Sequence, residues 1–222
     1  MKNIETEPAL SEIPEGAKPL QDALADFKEI ENNPEFRLQE GKTVKEYFEK
    51  HLDEPEITLV IPLSETKDLT RIASELRQVI FSYLKEYIGT AFAHLDEKQR
   101  DSAEADIEIE LGEIIANLRH SKETGKLHNL YIKVKKVGDI ILSVKLINPT
   151  PENPQNFATS HGKEYWHGSN IVTGIQSDPD SKVKIISRQS PVLDGDKNVG
   201  CESDVVLGPK DRVSEEEIES YI

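Results

Sequence analysis

Residues 97–120 have the length of a helix, and their polar and apolar side chains separate into two stripes. At about 100° per residue, five apolar side chains project from one narrow sector. They are Ile107, Leu111, Ile114, Ile115 and Leu118. Five polar side chains occupy a second sector, about a third of a turn away. They are Asp106, Glu110, Glu113, Asn117 and His120. The pattern predicts a helix packed on a sheet, with the polar stripe displayed beside the packed seam.

The polar stripe has two interpretations. A solvated acidic face is favoured near a helix start, where the helix dipole stabilises carboxylates, and it explains Asp106 better than Glu113. It does not explain Asn117, because asparagine is a mediocre helix former. An amide one turn beyond a carboxylate can instead hold a hydrated Mg²⁺ ion and polarise a water or hydroxyl, because Mg²⁺ takes oxygen ligands and keeps several waters.

The neighbouring segments predict the sheet on which this helix packs. Residues 56–64 alternate as a strand, and residues 65–89 form a long amphipathic helix that ends near Gly89. Residues 129–137 and 139–148 form a hairpin with a turn at Gly138, and one face of each strand is polar. The predicted fold is an α/β (α+β) two-layer sandwich, in which helices cover one face of a mixed, mostly antiparallel sheet and the other face is wet.

The rest of the chain divides around this unit. Residues 1–16 are acidic and proline-bearing and predict a disordered arm, and residues 17–54 predict a helical extension in which Thr43 caps the second helix. The main domain spans residues 55–208. Residues 209–222 end in a short helix capped by Ser214.

Composition restricts the partners. The net charge of −15 and the pI near 4.9 disfavour nucleic acid and anionic membranes, whose binding needs clustered Lys and Arg. An acidic surface suits a basic protein partner or simply aids solubility. With Cys201 as the single cysteine and no apolar run near 20 residues, we expect a cytoplasmic protein that does not cross a membrane.

The order of these segments resembles the GHKL ATPase superfamily, and in particular the serine-kinase anti-sigma factors. Residues 56–80 look like the opening strand and long helix of that branch, and residues 106–121 look like its N-box helix, whose core is Glu-x-x-x-Asn followed by His and Ser. The hairpin, a long loop, a short helix and two closing strands follow in the family's order. The resemblance covers about residues 56–207 and implies a GHKL, or Bergerat-like, fold.

The resemblance also implies roles for individual residues. Glu113 would be the catalytic base or water-orienting carboxylate, and Asn117 would bind the Mg²⁺ that bridges the phosphates of ATP. His120 belongs to the same box and is placed among the cofactor-binding residues. Residues 149–165 would form the ATP lid.

Two nucleotide-binding boxes depart from the family pattern. In the adenine-binding box, Asn148 stands where the family has an aspartate followed by glycines. Its side-chain carbonyl oxygen would accept a hydrogen bond from the adenine amino group. The alternative is that Asn148 and Pro149 merely end a strand. The phosphate-binding box offers one glycine, Gly168, followed by Ser169, at the start of a predicted helix over residues 168–176. Lys163 and His167 would add positive charge near a bound phosphate. The alternative for Gly168 is that it is an ordinary helix cap.

Two other metal sites are disfavoured by the sequence. Residues 194–202 have Asp and Asn at alternate positions, but an EF-hand requires a glycine at its sixth position, where Val199 stands, so we interpret them as a loop between the closing strands. The six histidines lack the spacing of a zinc site.

These observations lead to two functional hypotheses. The first is a nucleotide-binding regulatory protein of the anti-sigma or serine/threonine-protein-kinase type, which uses ATP and Mg²⁺ to control a protein partner such as a sigma factor or a small antagonist-like domain. The alternative is an inactive GHKL-fold module that sequesters its partner without ATP turnover. A homodimer is compatible with both.

Overall fold

A seven-stranded, mostly antiparallel sheet organises the molecule. The computed structural model describes residues 16–64, 66, 68–138, 140–149, 172–175 and 180–221, but not the side chains of residues 113, 117, 172–175 and 215. The strand order is β1-β6-β7-β4-β3-β2, and β5 pairs with β6. The strands are β1 (Lys18–Pro19), β2 (Glu56–Pro62), β3 (Asn129–Val137), β4 (Ile141–Pro149), β5 (Val172–Ile175), β6 (Val183–Asp194) and β7 (Lys197–Pro209). Only β1 among them runs parallel to its neighbour, which makes the sheet mixed, as predicted.

Two long helices cover what we call the first face of the sheet. They are α3 (Leu69–Ala91) and α4 (Glu97–Ala116), and a 3-10 turn (Asn117–His120) continues α4. Asp68 caps α3 by accepting a hydrogen bond from the Arg71 N–H at 2.9 Å. Asp96 and Gln99 accept hydrogen bonds from each other's backbone N–H at the start of α4. Helix α3 continues two residues past Gly89, where the sequence predicted its end.

The main core lies between these helices and β2, β3 and β4. The predicted apolar stripe of α4 is buried throughout, and each of its side chains is at most 2% exposed. It packs on alternate sheet residues, which include Leu59, Ile132 and Leu146 in one register row. The apolar faces that the period-two pattern of the strands and the helical period of α3 and α4 predict therefore pack against each other.

The second face of the sheet is not the wet surface that the sequence predicted. Phe27 and Ala23 from the N-terminal extension are buried against Tyr131 and Ile147, and the Phe27 and Tyr131 ring centroids lie 5.1 Å apart. At the other end, Ile218 of α5 (Glu215–Glu219) packs on residues of β4, β6 and β7. The prediction failed because apolar residues on this face alternate with lysines, and the pattern of one strand does not reveal a distant segment that covers it.

The N-terminal extension crosses the second face from one edge of the sheet to the other. Strand β1 pairs with Val192 and Leu193 of β6, and α1 (Leu20–Ala23) and a 3-10 turn (Ala25–Phe27) follow. The chain then reaches β2, where the Val60 N–H donates to the Phe36 carbonyl at 2.7 Å. Helix α2 (Val44–His51) starts with a capping box between Thr43 and Glu46, which confirms Thr43 as the cap.

The closing strands are longer than the sequence predicted. Asp194 pairs with Lys197, so the turn contains only Gly195 and Asp196, and most of the predicted loop at residues 194–202 is strand. Gly195 has a φ of 63°, which explains a glycine in this tight turn. Beyond β7, Ser214 caps α5 as predicted by accepting a hydrogen bond from the Glu217 N–H at 3.0 Å.

The short helix predicted over residues 168–176 is contradicted where the structure describes it. Residues 172–175 form β5, which pairs antiparallel with residues 186–189 of β6. The isoleucine and valine of this segment favour a strand once an edge is available, which outweighs a weak helical pattern. Residues 172–175 therefore do not belong to a phosphate-binding helix.

Candidate functional site

Asp106 and Glu110, the first two residues of the polar stripe of α4, lie beside the main core. Near its start, Ser181 Oγ donates a hydrogen bond to Asp106 Oδ2 at 2.7 Å, just before β6 begins. One turn later, Glu110 is only 8% exposed. The described part of the stripe therefore is not a fully solvated acidic face, and it borders a buried seam between α4 and the closing strands.

The far end of this seam joins α4 to the end of β4. Asn148 Nδ2 donates a hydrogen bond to Ser121 Oγ at 2.9 Å, and Ser121 directly follows the 3-10 turn that continues α4. Both residues are buried. Asn148 was selected from the sequence as an adenine ligand, and Ser121 belongs to the N-box resemblance. The fold thus brings two separately selected segments into direct contact, although they are 27 residues apart in sequence.

Between these two ends, the first face of the sheet changes from apolar to polar. Strands β2 and β3 present aliphatic residues to α3 and α4, except at the far end of β3, where Lys136 lies over the Tyr83 ring of α3. Strands β6 and β7 present Ser187, Gln189, Cys201 and Ser203, all at most 5% exposed. Gln189 is the register partner of Ser203. These four strand residues, together with Asn148 and Ser121, form what we call the polar seam. The apolar residues Val183 and Ile185 of β6 separate it from Ser181.

The Gln189 side chain is the least satisfied group of the seam. It is 1% exposed, and its Nε2 has no hydrogen-bond partner among the described residues. A buried donor without a partner costs about 1–3 kcal/mol, because it has lost its hydrogen bonds to water. Such a group in a polar site is an available donor for a bound molecule.

The seam is suited to binding more than to nucleophilic chemistry. Burial raises the pKa of the Cys201 thiol to about 12, so the thiolate nucleophile is suppressed at neutral pH. Cys201 and Asn148 are register partners on adjacent strands. The described side chains offer amide and hydroxyl groups, which recognise the edge of a planar polar molecule through hydrogen bonds.

The structure places the other predicted site residues only in part. The backbones of Glu113 and Asn117 lie in α4 and in the 3-10 turn, but their side chains are outside the described residues. His120 ends the same turn and its side chain is exposed. The predicted phosphate-binding residues lie outside the described residues: Lys163, His167, Gly168 and Ser169.

Three polar seam residues were not selected from the sequence: Ser187, Gln189 and Ser203. A signal was present, because a strand buried on both faces normally contains a continuous apolar run, whereas residues 187–190 and 202–204 are polar inside long strands. Sequence patterns alone did not show that these two runs are neighbours in one sheet.

No metal site is evident among the described side chains. They contain no group of three or more His, Cys, Asp or Glu residues arranged to hold an ion. The Mg²⁺ site expected at Asn117 therefore stays a prediction. In the same described ranges, no helix combines the length and apolarity needed to cross a bilayer.

A separate cavity of about 500 Å³ lies on the other side of the sheet, between residues 19–31 and the β6–β7 turn. Of the charged groups that line it, Lys126 pairs with Asp194 at 3.1 Å and Glu31 accepts a hydrogen bond from Asn129 at 2.9 Å. We regard the polar seam as the better candidate site, because it contains the buried donor Gln189 Nε2, which lacks a partner among the described residues.

Comparisons with known proteins leave the family open. No protein-family model matches the chain, and no curated protein matches it. One solved structure, the siderocalin Ex-FABP, described as functioning through dual ligand specificities, aligns with 8% identity over 44% of this chain and 63% of its own, with a TM-score of 0.12. The alignment thus spans less than two thirds of that protein. A TM-score this low supports no inference about fold or ligand.

Proposed function

We propose that this chain is a nucleotide-binding regulatory protein of the anti-sigma and serine-protein-kinase type, and that it controls a protein partner. The observation that carries the proposal is the buried hydrogen bond between Asn148 and Ser121. It joins the end of the strand where the family's adenine box is expected to the end of the helix that resembles the N-box. The contact supports the proposal because both segments would have to line one nucleotide site.

The chemistry of the described residues fits a nucleobase. Asn148 Nδ2 donates to Ser121 Oγ and to the Pro149 carbonyl, and Oδ1, the acceptor of this amide, would accept from an adenine amino group. Gln189 Nε2 is a buried donor that lacks a partner among the described residues. Aliphatic residues of the adjacent core would cover the apolar face of a bound ring. The seam thus offers one acceptor and one donor in a setting from which bulk water is excluded.

The proposed roles of α4 rest on the N-box resemblance. Glu113 would orient or deprotonate the attacking hydroxyl, and Asn117 would hold Mg²⁺, which neutralises phosphate charge when bound. If transfer occurs, the γ-phosphoryl group passes to a hydroxyl of the partner, and positioning and electrostatics supply most of the catalysis. Glu113→Gln is then expected to retain ATP binding and lose transfer. Full transfer activity in that variant would contradict the assignment.

The second candidate is a module that binds its partner, with or without nucleotide, and does not turn ATP over. One observation favours it, namely strand β5 at residues 172–175, where a helix was expected to continue from the phosphate-binding glycine. A helix N-terminus supplies both N–H donors and a favourable dipole for phosphate. Radiolabelled ATP with and without the partner separates the candidates, since only the first predicts a phosphorylated partner.

Calorimetric titration of ATP and ADP with Mg²⁺ tests nucleotide binding directly. We expect Mg²⁺-dependent binding by the wild type, and its loss in Asn117→Ala and in Asn148→Ala. Asn129→Ala is the matched control, because Asn129 is also a buried, hydrogen-bonded asparagine but lies in β3 against Glu31 and Tyr131. Absence of heat and of a thermal shift at millimolar nucleotide would refute nucleotide binding and leave only the partner-binding module.

A further inference from the structure

The N-terminal strap, which we define as residues 18–33, has little backbone attachment to the sheet it covers. Its strand β1 contains two residues, which pair with Val192 and Leu193 at the edge of β6. Beyond β1, apolar contacts of Ala23 and Phe27 hold it on the second face. Side-chain contacts therefore determine how firmly the strap is docked.

A charged cluster lies beneath the strap in the middle of the second face. Glu202 and Asp204 of β7 are 1% and 2% exposed. Lys18 of the strap contacts Glu202 Oε1, and its Nζ lies 3.7 Å from Asp204 Oδ2. Lys145 of β4 lies 3.8 Å from each carboxylate and 3.7 Å from Asp26, which is also on the strap. The strap thus supplies one cation and one anion to a cluster that is otherwise built by the sheet.

The two strand carboxylates are incompletely satisfied. Glu202 Oε2 and Asp204 Oδ2 are buried and have no hydrogen-bond partner among the described residues, although lysines lie within ion-pair distance. Two adjacent carboxylates in a buried site do not easily carry two negative charges together. Burial, followed by the charge of Glu202, raises the pKa of Asp204 to about 7, and the lysines 145 and 18 only partly oppose this shift.

We propose that the strap is a proton-sensitive latch: a proton held by the Glu202–Asp204 pair favours docking of residues 18–33 on the sheet, and loss of that proton favours their release. The strap covers an apolar patch next to the pair, which includes Tyr131, Ile147 and Val192, so docking excludes water from this surface. A proton on the pair removes the charge that is most costly to bury. The latch is independent of the polar seam, which lies on the opposite face of the sheet.

The direction of the pH dependence follows from proton binding. When the strap leaves, water reaches Asp204 and its pKa moves back towards the ordinary value of 3.8. The docked state therefore binds more protons between about pH 4 and pH 7, and docking weakens as the pH rises through this window, by at most about tenfold per pH unit. Above this window the dependence disappears.

The other charged groups near Asp204 are accounted for. They are Glu202 on the same strand, Lys145 on β4, Lys18 on β1 and Asp26 in the 3-10 turn. Arg188 on β6 is the register partner of Asp204. Lys133 on β3 pairs with Asp26 and Glu56. Asp204 is the group of the cluster whose pKa lies near neutrality.

Hydrogen exchange of the full-length chain from about pH 5 to about pH 8, expressed as protection factors, tests the latch. We expect protection of the strap amides, such as those of Phe27 and Glu31, to fall as the pH rises, whereas amides of β3 and β4 keep theirs. In Asp204→Asn the strap protection is expected to be independent of pH. A wild-type profile without pH dependence, or an Asp204→Asn profile like that of the wild type, would overturn the proposal.

A second variant decides the matter if Asp204→Asn does not fold. Glu202→Gln removes the negative charge that helps to raise the pKa of Asp204, so the midpoint of release is expected at lower pH. Glu56→Gln is the control, because Glu56 is more exposed and is joined to the cluster through Lys133, which also pairs with Asp26. Its midpoint is expected to match the wild type. An unchanged midpoint in Glu202→Gln would reject the carboxylate pair as the proton site.

Discussion

Gly200 lies where β7 passes Asn148, and replacing it with alanine is a direct test of the packing at the end of the seam. A Cβ at this position would lie 2.3 Å from Leu127 Cδ2 and 2.7 Å from the Asn148 carbonyl oxygen. The leucine methyl can rotate away, but the carbonyl belongs to the β4–β7 ladder and cannot move without breaking register. The substitution must therefore displace one of these two strands.

The expected destabilisation combines two opposing terms. Overpacking in a well-packed core costs about 1–3 kcal/mol. Replacing glycine inside a strand recovers about 0.5–1 kcal/mol of backbone entropy, so Gly200→Ala is expected to lower the free energy of unfolding by up to about 2.5 kcal/mol. Because the clash involves the backbone of Asn148, we also expect weaker nucleotide binding if the seam is the site.

Urea denaturation followed by circular dichroism measures the first effect, and calorimetric titration measures the second. Gly89→Ala is the control for substitution itself, since nothing lies within 4 Å of its added Cβ and helix α3 should gain stability. Gly208→Ala is the control for strand clash, with contacts of 2.8 Å to the Ile140 carbonyl and 2.9 Å to Val213 far from Asn148. A Gly200→Ala protein as stable as Gly89→Ala would refute the packing argument.

Three further substitutions are tested by chemical denaturation. Thr43→Ala removes the side-chain acceptor of the α2 capping box and should cost about 1 kcal/mol; an unchanged midpoint would mean that the cap is not formed in solution. Phe27→Ala opens a cavity against Tyr131 and should cost about 3–5 kcal/mol, unless the strap is undocked under the conditions used. Gln189→Met replaces the unpartnered buried amide with an apolar side chain of similar size. It should stabilise the nucleotide-free protein by about 1 kcal/mol and reduce its nucleotide affinity. Destabilisation would show that the amide has a hydrogen-bond partner.

The sequence predicted those elements whose pattern depends on one packing partner. The apolar stripe of α4 and the aliphatic residues of β3 and β4 that face the helices lie in one core, so their periods identified this buried face correctly. The caps at Thr43 and Ser214 were also predictable, because capping is a local interaction. The helix ends were less predictable, since α3 continues through Gly89 and packing stabilises its last residues.

Features that depend on distant segments were missed. The cover on the second face requires Phe27 to meet Tyr131, and no local pattern in either segment indicates that contact. Strand β5 forms because β6 offers an edge, which a helical pattern over residues 168–176 does not reveal. In the seam, Asn148 was identified from the resemblance, whereas Gln189 became visible only when its burial and register were known.

The path of the N-terminal extension has a consequence for solubility. The same segment pairs with β6 at Lys18 and with β2 at Arg37, so it occupies strand edges on opposite sides of the sheet. An open strand edge can pair with another chain and begin aggregation. Removing the extension would therefore bare edges on both sides at once and expose the apolar patch between them. A truncated chain is expected to self-associate through those edges, even though the acidic main domain would still repel its neighbours by charge.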